Sequence, residues 1–167
     1  MYQVGDRVLY VMHGVCCVKK AEERILDGNR RLFLVLEPEE QDGCQYLIPT
    51  YNTAAMEKLR QLLTKQALQQ LLSSDEVRKN GWIADENRRK STYRELIARG
   101  DRVALLQMIY SLYQHQAKQS EQGKKFHQCD ENFLRDAEKL VCSEISAVMG
   151  MDADSARSYL KSQLNKM

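Results

Sequence analysis

An α+β chain is predicted, with a small β-rich module in front and an all-helical module behind, on three observations. From Met1 to Pro49, short apolar–polar alternations run between tight-turn signals, the period-two pattern of half-buried strands. From Thr53 onward the apolar spacing lengthens to about 3.6 residues, the period of an amphipathic helix. A burst of cations, Arg88-Arg89-Lys90 followed by Arg94, Arg99 and Arg102, lies inside the helical part. The 167 residues are 43% hydrophobic and 29% charged, the composition of a folded globular protein rather than a disordered one.

Val4, Val8 and Tyr10 alternate with polar residues around Gly5-Asp6 and predict a first strand. Gly14 allows a bend into Val15-Cys16-Cys17-Val18, a second strand that ends near Arg24-Ile25. Asp27-Gly28 is a hairpin signal, because its turn needs left-handed backbone that glycine adopts freely. Leu32 to Leu36 is the buried third strand, Pro38 to Gly43 an acidic turn, and Cys44 to Ile48 a strand stopped by Pro49. Four or five such strands predict a small, strongly bent antiparallel barrel of SH3 or Tudor type, with at least one exposed edge.

In the helical part, Leu63, Ala67, Leu68, Leu71 and Leu72 form one stripe. Ser73-Ser74 and Asn80-Gly81 break the pattern, so residues 73–82 are expected to connect the domains. A second helix from about Asp85 stops at Gly100, and Asp101 caps a third built on Val103, Leu106, Ile109, Tyr110 and Tyr113. Gln114 to Lys125 is expected to be a frayed end and loop. A fourth helix from about Asp130 carries Phe133, Leu134, Ala137, Leu140, Val141, Ile145 and Val148 inward and stops at Gly150. Asp152 or Asp154 caps the last, through Tyr159, Leu160 and Leu164. The chain is thus divided into a β domain over 1–52, a helix and linker over 53–82, and a helical domain over 83–167.

Of the 25 basic and 23 acidic side chains, eleven and seven fall in residues 74–126, so the positive excess sits mid-chain. On the second helix Lys90 and Arg94 lie one turn apart, with Tyr93, Leu96 and Ile97 facing inward. The row of cations is either a phosphate-binding surface or a solvated face, since Glu86 and Glu95 interleave with it. Trp82, the sole tryptophan, is either a wedge or base-stacking platform or a plug against a helix.

Five cysteines without CxxC spacing fit reduced, packed thiols. His13 precedes Cys16 by three residues and His127 precedes Cys129 by two. Zinc needs four ligands and a cysteine nucleophile an oriented base, so neither pair makes a site. No P-loop, GxGxxG, GxSxG or HExxH occurs, and no catalytic residue, metal or cofactor is expected. Met1 to Asp6 has no apolar signal core and no stretch reaches spanning length, so a cytoplasmic protein away from membranes is expected.

Val4-Gly5-Asp6-Arg7-Val8-Leu9-Tyr10, followed by His13-Gly14-Val15, resembles the opening of the CarD/CdnL family of bacterial transcription regulators. The resemblance continues through Glu23 to Gly28, Leu34-Val35-Leu36, Tyr46-Leu47-Ile48-Pro49 and Leu59-Arg60. It extends to Asn87-Arg88-Arg89, Gly100-Asp101 and Ala137-Glu138-Lys139-Leu140-Val141 with Glu144. It implies a Tudor-like domain, shared with the transcription-repair coupling factor, that docks on the RNA polymerase β subunit through an exposed strand edge and basic side chains. Arg24, Tyr46, Leu47, Ile48 and Pro49 are the residues it points to. It also implies a helical domain that contacts promoter DNA at the upstream edge of the bubble, here through Trp82, Arg88, Arg89, Lys90 and Arg94. Family activators carry a wedge tryptophan immediately before the Asn-Arg-Arg segment. This chain has Glu86 there and Trp82 four residues earlier, so the wedge is either displaced or absent. The alternative to a DNA-contacting regulator is a polymerase-bound adaptor that never meets DNA.

Overall fold

The computed structural model describes residues 1–40 and 43–166, which fall into two compact units, Met1–Leu62 and Leu63–Met167. The first is an antiparallel sheet of five strands: β1 (Arg7–Tyr10), β2 (Gly14–Leu26), β3 (Asn29–Pro38), β4 (Tyr46–Pro49) and β5 (Leu59–Gln61). Their order is β4-β3-β2-β1-β5, so β4 and β5 are the edge strands. A one-turn helix, α1 (Thr53–Met56), precedes β5. The predicted turn residues Asp27 and Gly28 both have positive φ, 51° and 78°, as a two-residue hairpin with the native twist requires. Lys19 is an extra residue in β2, since Val18 faces Leu36 and Lys20 already faces Val35. Such a bulge sharpens the local twist. Val8, Cys16, Val18, Leu34, Leu36, Ile48 and Leu59 form the core of this sheet.

Three details differ from the reading of the sequence. The first strand starts at Arg7, and Val4 is exposed beside the Gly5-Asp6 turn. β5, at three residues, is too short to display an alternation and is defined only by pairing with β1, Leu59 opposite Tyr10. β4 begins at Tyr46, two residues later than expected. The predicted acidic turn includes Gln41 and Asp42, which lie outside the described residues.

The second unit contains α2 (Lys65–Ser73), a 3₁₀ turn (Asp75–Arg78), α3 (Glu86–Arg99), α4 (Arg102–Glu121), α5 (Gln128–Met149) and α6 (Ala153–Leu164). Residues expected as the inter-domain connection pack inside it: Val77 is fully buried, and the Arg78 guanidinium binds the carbonyls of Leu72, Ser74 and Gln163. The chain therefore divides nearer residue 62 than 73–82. α4 runs eight residues past Tyr113, because Gln, Lys, Ala and Glu favour helix and no breaker intervenes before Gly123. Asp101 accepts the Val103 N–H, Asp152 rather than Asp154 the Ser155 N–H, and Gly100 and Gly150 end their helices in left-handed backbone.

The helical core gathers Leu72, Tyr93, Leu106, Ile109, Leu112, Ile145 and Leu160 from five helices. Ile109, on the middle turn of α4, is 0% exposed. Ile109→Ala should destabilise the helical unit by about 2–5 kcal/mol through lost burial and a residual cavity, read as a lower denaturation midpoint in far-UV circular dichroism. A change below about 1 kcal/mol would mean the site collapses or is less packed than described.

Candidate functional site

The register of the sheet sorts the residues singled out in the first unit. Arg24 faces Arg31, Phe33 faces Pro49, and Val35 faces Leu47, so Arg24, Leu47 and Pro49 share one face. Tyr46 and Ile48 point to the other face, and Ile48 is buried in the core. Leu47 is 38% exposed and Arg24 is exposed. Arg24 also binds Glu22, 2.6 Å away, and Lys20 binds the same carboxylate at 2.9 Å. These two cations, Lys20 first, hold the Glu22 carboxyl below the usual range. The cluster keeps an excess of one positive charge on the arm. β4 has β3 on one side and no strand on the other among the described residues, which leaves a row of backbone groups open to an added strand.

Two residues on this face escaped the reading of the sequence. Arg31 lies over the ring of Tyr51, 4.6 Å from its centroid, and Tyr51 meets Phe33 edge-on at 5.9 Å. Tyr51 is 50% exposed. The period-two relation of Arg31 to Phe33 was the available signal; Tyr51 lies past the strand and had none.

At the sheet's other features, Tyr10, His13 and Tyr46 cluster with ring separations of 4.5–5.3 Å. Burial, and then Lys58, lowers the His13 pKa. Burial pushes the Cys16 thiol up to about 12, so it is held as the unreactive thiol. His127 instead caps α5, its Nδ1 accepting the Cys129 N–H at 3.4 Å.

In the second unit the cations of α3 divide by their position around the helix. Arg88 and Arg94 are exposed and, among the described residues, have no ion-pair partner. Lys90 is half-buried and binds Glu86 one turn back at 2.8 Å, which holds the Glu86 carboxyl below its usual range. Arg89 turns inward and is 5% exposed. Its Nε and one terminal nitrogen donate to both oxygens of Asp130, at 2.8 and 3.1 Å, and the other nitrogen donates to the Ile83 carbonyl at 3.0 Å. The guanidinium carbon also lies 4.5 Å from the Trp82 ring centroid. Trp82 stacks on His115 of α4, with centroids 3.6 Å apart and planes at 10°. The Gln119 side-chain amide hydrogen-bonds His115 Nε2 at 3.0 Å.

The same device recurs along α5. Glu144 receives both Arg102 from α4, at 2.8 Å, and the Leu63 N–H at 2.9 Å. Glu138 receives the Tyr113 hydroxyl and Arg157 of α6, each at 3.0 Å. Asp130, Glu138 and Glu144 are all buried. A buried carboxylate left without its cation typically costs about 3–5 kcal/mol, which explains why each of these positions has an arginine partner. Arg102, expected to continue the cationic row, is thereby used internally.

Burial lowers the His115 pKa, so the folded state binds this proton less readily than the unfolded chain does. Its contribution to stability is present above about pH 6.5 and is lost as pH falls. His115→Phe keeps a ring on Trp82 and should reduce the fall in melting temperature between about pH 7.5 and 5.5; an unchanged fall would contradict the stack's titration. Cys16 should resist iodoacetamide at about pH 8 in the folded protein, and a rate equal to that of free cysteine would show that the thiol is not held as described.

No helix among the described residues is long and apolar enough to cross a membrane. No curated protein matches the chain. Residues 2–60 match the CarD-like/TRCF RID domain family, a stretch that holds the Arg24 face and edge strand β4 and stops short of the helical unit. Domains of this family interact with RNA polymerase. The β unit, with its open edge beside an exposed basic arm, is thus similar to CarD-like/TRCF RID domains over nearly its whole length.

Proposed function

We propose that this protein is a CarD-like transcription regulator without catalytic activity, working in the cytoplasm on RNA polymerase. The β unit grips the polymerase β subunit, with β4 offering its backbone edge and Arg24, Leu47 and Pro49 meeting the partner on one face. Tyr46 and Ile48 support that strand from the core side. The match of residues 2–60 to a polymerase-interacting family carries this reading.

The helical unit then meets promoter DNA near the upstream edge of the bubble. Exposed Arg88 and Arg94, joined by Lys90 when it leaves Glu86, supply phosphate contacts that are independent of sequence. Arg89 and Trp82 stand behind them. By binding one polymerase–promoter state better than another, the protein shifts the stability of the open complex. A polymerase-bound adaptor without DNA contact is the second reading. It is favoured by one observation: Arg89, Lys90 and Arg102 are all paired inside the protein.

A pull-down with RNA polymerase tests the grip: the full chain should retain the β subunit, and Arg24→Glu should weaken it. Loss of binding by the wild-type chain would refute the regulator outright. Fork-junction DNA titrated at several salt concentrations tests the second contact. Arg88→Ala and Arg94→Ala should each reduce the salt slope by about 0.9. Absence of DNA contact by the polymerase-bound protein would leave the adaptor.

A further inference from the structure

Arg89 and Tyr93 are the two buried side chains of α3, and with Leu96 and Ile97 packed partly against the core they set how the helix is rotated against its neighbours. Arg89 links α3 to Asp130 of α5, to the carbonyl of Ile83 ahead of the helix, and to the Trp82 ring, which rests on His115 of α4. Gly81 is tied to the same helix by its N–H to the Ser111 hydroxyl, at 2.9 Å. Arg88 is the next residue, about 100° away around the helix, and points to solvent.

We infer that Arg89 is a positioning residue rather than a phosphate ligand: with Asp130 it sets the rotation of α3 that presents Arg88 and Arg94 to the duplex, and Trp82 stays on His115 when DNA binds. The inference rests on the DNA-contacting reading above. A phosphate could recruit Arg89 only by orphaning Asp130, which is 1% exposed. A single solvent-screened phosphate contact does not offset a bare buried carboxylate. Swinging Trp82 outward would likewise break its stack and remove the ring from the guanidinium.

The two roles predict opposite signs for one substitution. Asp130→Asn removes an anion near a DNA-binding surface, so direct phosphate contact by Arg89 predicts tighter binding. Positioning predicts weaker binding, by roughly tenfold, with the wild-type salt slope because the number of phosphates contacted is unchanged. Arg89→Lys keeps the charge but loses the two-pronged fork, and should weaken binding similarly. The full chain would be titrated with labelled fork-junction DNA, and circular dichroism would establish which variants remain folded. If Asp130→Asn unfolds, Arg89→Lys and the wild-type emission of Trp82 decide the matter. That emission should not change on adding DNA.

Tighter binding by folded Asp130→Asn, wild-type affinity in Arg89→Lys, or quenching of Trp82 by DNA overturns the inference alone. Failure of the wild-type chain to bind any fork DNA overturns the DNA reading and this inference with it.

Discussion

The helical unit depends on one constraint: each carboxylate that α5 buries must meet an arginine from another helix. Asp130, Glu138 and Glu144 receive Arg89, Arg157 and Arg102 from α3, α6 and α4. A hydrophobic core specifies that helices associate, with tolerance for rotation and sliding. Bidentate pairs are less forgiving, because a displaced partner leaves a desolvated charge. Two such forks, Arg89 on Asp130 and Arg102 on Glu144, with the single Arg157 contact on Glu138, therefore align α3, α4 and α6 on α5. Glu144 adds the Leu63 N–H, so the entry of the chain into this unit is aligned by the same group.

That constraint also decides which cations face outward. A basic run on a helix resembles a uniform positive stripe when written as a sequence. Inside the fold it is partitioned: Arg89 and Arg102 complete internal pairs, Lys90 is answered by Glu86, and Arg88 and Arg94 stay exposed. The first unit uses a different principle. Its surface is a backbone edge with side chains sorted by the two faces of the strand, so Leu47 and Pro49 join Arg24 while Tyr46 and Ile48 support them. One unit thus presents unpaired peptide groups and the other unpaired charge.

Local chemistry was readable wherever a few adjacent residues carried it. Asp27-Gly28 announced a turn, Gly100-Asp101 a helix stop and start, and Gly150 with Asp152 another. The α+β division followed from the change in apolar period. Long-range partners were not readable. Arg88 and Arg89 are equivalent as letters, and only Asp130, 41 residues away, turns one inward. Trp82 lacked a stripe because its partner is a histidine on a helix whose second half resembled a loop. β5 exists through its neighbour β1 rather than through its own three residues.

We propose that β4 is the strand by which this protein holds RNA polymerase. Amide hydrogen exchange of the full chain, alone and with polymerase, reads that edge directly. Binding should slow exchange at the outward amides of Tyr46 to Ile48 while the interior of α5 stays unaffected. Protection confined to the helical unit, or none at β4 in a formed complex, would contradict the account.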